Sequence, residues 1–294
     1  MKITIGTRSA KASLVCAKSV AGLLEAAGAG AELRPISAIG DSLDVGLAGQ
    51  RGGEMFTRDL DEALQRGEID LAVHDMSHVA AVLPANVSIA AVPQRLDPRD
   101  AFVSGKAKKL SALGAGARIG ASGAVRAPQL IRMARGFEIV PVISDPEANL
   151  RAVGEGVVDG VIMSSAELAR LGIDNVICEH LPADRLVPAI GQGALAVEVR
   201  SDRRELIGLV TRACHHPASG VTVKAERAFL KAMDRQDGAV YAASAEVVPS
   251  GLAIVGFIAT ADAAKFVMEK ESGKIDGAGD LGRRLAEKLL KKFS

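Results

Sequence analysis

The chain has 294 residues, enough for two or three domains, each with its own core. Its 36 basic and 35 acidic side chains leave a net charge of +1, which argues against a nucleic-acid partner, and one Tyr, seven Phe and no Trp leave little for base stacking. No apolar run reaches the roughly 20 residues of a membrane span, and residues 1–6 lack the long apolar segment of a signal peptide. A cytoplasmic, monomeric protein without a membrane partner is therefore expected. Cys16, Cys178 and Cys214 are too scattered for a disulfide framework or a metal pair.

In chain order, residues 2–6 read as a strand. From residue 10, Leu14, Ala17, Ala21 and Leu24 recur at helical spacing. Residues 33–36 read as a strand whose Pro35 points to a sheet edge or a strand end. Residues 54–65 form a helix with Phe56, Leu60, Ala63 and Leu64 on one face, followed by strands at 70–74 and 87–92. This βαβ rhythm predicts a mainly parallel sheet. The polar, twice-proline segment 93–100 is a crossing to a second unit, with strands at 101–104, 118–120, 138–142, 160–163 and 175–178. Its helices fall near 124–135, 146–154 and 165–171. A second crossing near 186–193 precedes a strand at 194–199 and helices at 201–212 and 219–233. Antiparallel strands at 240–248, 252–260 and 264–270 and a helix at 279–293 close the chain. The boundaries become 1–93 with 189–212, then 98–186, then 215–294. The class is α/β, with two domains of similar plan and a small α+β third.

Three places invite chemistry. Residues 119–126, I-G-A-S-G-A-V-R, run from a strand through small residues into a helix. Free N–H groups there, with Ser122, Gly123 and Arg126, suit an anion, although an ordinary βα turn has the same composition. His74 and His78, four apart and flanking Asp75, end a buried strand. With no third ligand and no glutamate base between them, they read as a polar rim at a strand's carboxyl end, and no metal is expected. His215-His216-Pro217 precedes a helix for which Ser219 would serve as N-cap, and Cys214 reads as a packing cysteine.

Several segments taken together resemble the hydroxymethylbilane synthase (porphobilinogen deaminase) family. Residues 70–79, D-L-A-V-H-D-M-S-H-V, are similar to its D-L/I-A-V-H-S-M-K-D-V signature. Residues 97–104 read D-P-R-D-A-F-V-S, 188–194 P-A-I-G-Q-G-A and 225–228 A-E-R-A, each like a family motif. Residues 5–9, I-G-T-R-S, resemble its opening. The likeness spans nearly the whole chain. It implies two periplasmic-binding-protein-like domains around a cleft, and a third domain whose cysteine holds a dipyrromethane primer. The implied reaction condenses four porphobilinogens with loss of ammonia, an aspartate steadying the cationic pyrroles and cations gripping their carboxylates. Arg8 and Arg170 match substrate-contact arginines.

Elsewhere the residues depart from that pattern. His78 stands at the catalytic aspartate's place and Ser77 at the neighbouring lysine's. Val125 replaces one of two adjacent arginines, leaving Arg126. Ile143 and Asn149 fall where two more arginines are implied, and Gly53 where a lysine is. Asp237 falls at the primer cysteine, and a carboxylate forms no thioether, so no cofactor is expected. A histidine, neutral or cationic near pH 7, does not steady an adjacent cation. Three readings result: a tetrapyrrole-pathway transferase of the family type, a catalytically inactive member binding a small anion or a partner protein, or a changed enzyme using His78 and Asp75 as a general acid–base pair. The anion would sit between the first two domains on Arg8, Ser122, Gly123, Arg126 and Arg170.

Overall fold

The computed structural model describes residues 2–38, 54–133, 136–143, 145–233, 236 and 238–294. The chain opens with β1 (Lys2–Arg8), α1 (Lys11–Ala26), β2 (Gly30–Ile36), α2 (Glu54–Gln65), β3 (Leu71–Asp75) and β4 (Val87–Ala91). It continues with β5 (Asp100–Val103), β6 (Arg118–Ala121), α3 (Arg126–Arg132), β7 (Glu138–Pro141), α4 (Pro146–Gly154), β8 (Gly160–Ser164), α5 (Ser165–Leu171) and β9 (Glu179–Leu181). The last part holds β10 (Leu195–Arg200), α6 (Arg204–Cys214), α7 (Pro217–Met233), β11 (Ala239–Val248), β12 (Gly251–Thr260), β13 (Phe266–Gly273) and α8 (Ala278–Phe293).

Among the described residues three sheets result, ordered β2-β1-β3-β10-β4, β7-β6-β8-β5-β9 and β11-β12-β13. The first two share a plan: three parallel strands, the first in sequence in the middle, continued by an antiparallel strand. In the first sheet that strand is β10, which arrives about 120 residues after β3 and pairs with both β3 and β4. Strand alternation divides the core in two. Ile3, Ile5, Val73 and Val197 face α1 and α6, while Ala72 faces Leu60 and Leu64 of α2. β2, which contains Pro35, is an edge strand. The third sheet packs Tyr241, Ile254 and Ile258 against Phe229, Leu285 and Leu289 of α7 and α8.

Some boundaries differ from the sequence reading. The strand expected at 175–178 is a 3-10 turn, Asp174–Val176, because Cys178 N–H already bonds the Phe102 carbonyl and the β9 ladder with β5 starts at Glu179. The helix expected from 219 starts at Pro217, where a missing N–H costs nothing. Ser219 therefore lies inside its first turn. The His216 ring caps instead, accepting from Ser219 N, while Ser219 Oγ accepts from Arg95 N. The helix expected over 124–135 is shorter, Arg126–Arg132, beginning after Gly123 at φ +75°.

The crossings are pinned by glycines and one buried acid. A Cβ on Gly191 (φ +75°) would lie 2.5 Å from Met76 Cγ, and one on Gly193 (φ +82°) 2.8 Å from the Leu96 carbonyl. Fully buried Glu226 accepts both ends of the Arg95 fork at 2.7 and 3.1 Å, together with Gly191 N and Ala245 N. Arg227 donates to the carbonyls of Val79 and Ala80. These two residues of the A-E-R-A motif thus tie the third domain to both crossings and to the loop after β3. Among the described residues, no helix is long and apolar enough to cross a membrane.

Candidate functional site

Each of the first two sheets has a switch point, where connections from adjacent parallel strands leave in opposite directions. Clefts in α/β folds form outside the carboxyl ends of those strands. In the first sheet the ends are Arg8 of β1 and Asp75 of β3; in the second they are Ala121 of β6 and Ser164 of β8. Side chains bridge the two sets. Lys11 Nζ lies 2.9 Å from Glu147, and Arg170 of α5 reaches across to Asp75.

The Asp75–Arg170 pair joins the two sides of the cleft. Arg170 Nη1 donates to Asp75 Oδ2, and Nη2 donates to the Gly193 carbonyl at 3.1 Å. The arginine side chain is only 9% exposed. The other Asp75 oxygen accepts from Ser77 N and Oγ at 3.1 and 2.7 Å, capping the 3-10 turn Met76–His78. Burial resists the Asp75 charge, but Arg170 overcomes it and holds the carboxyl below its ordinary range. Burial likewise opposes charge on Arg170, and Asp75 more than restores it.

His78 lies on the same rim. Its ring is 4.6 Å from that of Phe56, over which the Arg8 guanidinium sits at 4.4 Å. Burial, reinforced by Arg8, pushes the His78 imidazole down to about 4 despite the Asp75 charge. The residue is therefore neutral near pH 7.

On the second domain, Arg126 is committed to the protein itself. Nη1 donates to Ser122 O and Oγ, both at 2.9 Å, and Nη2 to Asp100 Oδ1 at 2.9 Å and Gln192 Oε1 at 3.4 Å. Ser122 is buried by this contact, so its hydroxyl accepts from Arg126. The loop borders a small pocket of about 90 Å³ lined by Ser122, Gly123, Val125, Arg126, Ala189 and Gln192. Val125 also packs against the third domain's core around Phe257, so an apolar contact occupies the place of the implied second arginine. Asn149 is buried and donates to the Ile143 carbonyl at 2.9 Å, a structural role. Gly53 and Asp237 lie outside the described residues.

One cleft residue escaped the sequence reading. Glu167 of α5 is half-buried, and the charges of Arg126, Arg170 and Asp75 all act on it. Burial pushes its carboxyl up to about 7, with Asp75 adding and the arginines opposing. Ser164-x-x-Glu167 has the form of a capping box, and Ser164 Oγ does accept from Glu167 N at 3.3 Å, so local pattern alone assigns it to the helix start.

A covalent pyrrole primer needs an accessible thiolate. Cys16 and Cys214 are buried, and burial pushes both thiols up to about 11. Cys178 donates to the Ser104 carbonyl in the second domain. The sequence places a carboxylate, that of Asp237, at the family's attachment position. His74, on the same strand end as Asp75, has different neighbours: it meets Asp61 and Glu198 beneath α2.

A family profile described as "Porphobilinogen deaminase, dipyromethane cofactor binding domain" matches residues 3–208. A porphobilinogen deaminase of Geobacter sulfurreducens is 39% identical over 98% of this chain and 91% of that protein. One of Trichlorobacter lovleyi is 39% identical over 98% of this chain and 93% of its own length. Among solved structures, a nutrient binding protein from Burkholderia cenocepacia bound to methionine has a TM-score of 0.45 at 14% identity, covering 72% of this chain and 90% of that one.

Proposed function

Because the chain belongs to the porphobilinogen deaminase family, we propose that it serves tetrapyrrole biosynthesis by binding one small carboxylate, a single pyrrole unit, without polymerising it. The observation that carries this reading is the Asp75–Arg170 pair. The family resemblance gives Arg170 to a substrate carboxylate, and here a carboxylate of the protein itself holds it. Growing a pyrrole chain adds two carboxylates per unit, and each needs cations. Arg126 and Arg170 are ion-paired within the protein, to Asp100 and Asp75, and the charges of both arginines also act on Glu167. Arg8, at the end of β1, is a cation on the first-domain rim. His78, neutral at the aspartate's position, supplies no negative charge to a cationic pyrrole. In this reading the protein is a cytoplasmic monomer that carries no covalent primer, since Asp237 offers no thiol.

The test is incubation of purified protein with porphobilinogen, followed by oxidation, intact mass and calorimetry. One-site binding, no uroporphyrin colour and a bare chain of 30.4 kDa are expected. Uroporphyrin formed with turnover, or a mass gain of two pyrrole units, would overturn the reading.

A further inference from the structure

Beneath α2, and apart from the cleft contacts, three buried side chains converge from three elements. Asp61 comes from α2, His74 from β3 and Glu198 from β10. β3 and β10 are paired antiparallel, His74 opposite Ala196 and Glu198 opposite Ala72, so both side chains leave the sheet on the face that Ala72 presents to α2. Residue exposures are 8% for Asp61, 4% for His74 and 1% for Glu198.

The polar atoms are close but not hydrogen-bonded. His74 Nε2 is 3.5 Å from Asp61 Oδ1 and 3.7 Å from Glu198 Oε2, and one ligand atom from each residue lies within 4.8 Å of the others. Neither His74 Nε2 nor Asp61 Oδ1 has a hydrogen-bond partner. Buried polar atoms are nearly always satisfied, and an imidazolium clasped by carboxylates would be drawn to about 2.7–2.9 Å. Separations near 3.5 Å instead match ligand atoms around one ion: metal bonds of about 2.0–2.1 Å at a tetrahedral angle put neighbouring ligands about 3.3 Å apart. Arg227, whose charge reaches Glu198, spends its N–H groups on main-chain carbonyls and forms no ion pair with the cluster.

We infer that Asp61, His74 and Glu198 form a binding site for one divalent first-row transition-metal ion, Zn²⁺ by preference, that fastens α2 to β3 and β10. One imidazole nitrogen and two carboxylate oxygens are a zinc donor set, and such a set binds Zn²⁺ more tightly than Mn²⁺. Three protein ligands leave the remaining coordination to water.

The experiment uses the full chain, stripped with chelator and titrated with ZnCl₂ and separately with MnCl₂, with metal content, calorimetry and thermal melting as readouts. The expected result is one Zn²⁺ per chain, a raised melting temperature, and affinity at least tenfold above that for Mn²⁺. X-ray absorption of the zinc-loaded protein should show nitrogen and oxygen neighbours without sulfur. His74→Gln and Glu198→Gln should each weaken Zn²⁺ at least a hundredfold while the far-ultraviolet circular dichroism stays native. Should either variant fail to fold, Asp61→Asn, at the helix surface of the cluster, provides the same comparison. A stripped protein that takes up no stoichiometric Zn²⁺, folded variants that bind it as tightly as the parent, or a sulfur-containing shell would each overturn the assignment.

Discussion

Asp75 and Arg170 join the two sides of the cleft through an ion pair in which the arginine is nine-tenths buried. The pair competes with any ligand carboxylate for the same guanidinium. Asp75→Asn should therefore bind porphobilinogen more tightly, by about tenfold to a hundredfold, the equivalent of one charge-assisted hydrogen bond of about 1.5–3 kcal/mol. The same change should lower the melting temperature, because Arg170 loses its partner in the free protein. Calorimetry and a thermal melt on the variant check both; equal affinity in the two proteins would contradict the competition.

Arg126 supports the second domain before it can support a ligand. Removing it leaves Asp100, 1% exposed at its side chain, with its charge unopposed. Arg126→Leu is expected to cost about 3–5 kcal/mol of stability, as is Asp100→Leu, whereas the two combined should recover most of that loss. Urea unfolding of the two single variants and the double variant measures the coupling.

His78 sets one part of the acid response. Its native value of about 4 lies below the ordinary 6.5, so between those two pH values the unfolded chain binds the extra proton. Its contribution is present above pH 6.5 and is lost progressively as pH falls towards 4. Glu167, pushed up to about 7 mainly by burial, acts in the opposite sense, its contribution being lost as pH rises from about 4.5 through 7. The difference between wild type and His78→Gln isolates the histidine. That difference should grow in the variant's favour as pH drops from 6.5 to 4, in denaturant melts at matched ionic strength.

Gly193 carries a strain test. Alanine there meets both an unfavourable φ of +82° and a main-chain carbonyl 2.8 Å away that no rotamer change can relieve. Gly193→Ala should destabilise by about 1–3 kcal/mol. Gly28, also at positive φ but with nothing within 4 Å of a Cβ, should lose less on the same substitution.

The α/β class was legible because strands such as β3 and β8 are short buried runs between amphipathic helices, a signal carried by neighbouring residues. Pro35 left an edge strand and a strand end open for β2, and the sheet order makes it an edge. The candidate site was less legible. Residue type marks Arg126 and Arg170 as cations, but whether a guanidinium faces a ligand or Asp100 and Asp75 depends on residues 26 and 95 positions away. His74 drew attention by its spacing from His78, yet its true neighbours, Asp61 and Glu198, come from a preceding helix and a strand over a hundred residues later. Spacing along one segment cannot report such a convergence.

The placement of β10 reverses the order in which the molecule can be completed. Every strand of the second sheet lies between Asp100 and Leu181, so that sheet can close while the ribosome is still adding the last third of the chain. The first sheet, though begun at residue 2, has a gap between β3 and β4 until Arg200 has emerged, and among the described residues β4 has no other strand to pair with. The amino-terminal third waits, partly assembled and with its apolar faces open, for a strand delivered from the far side of its younger neighbour.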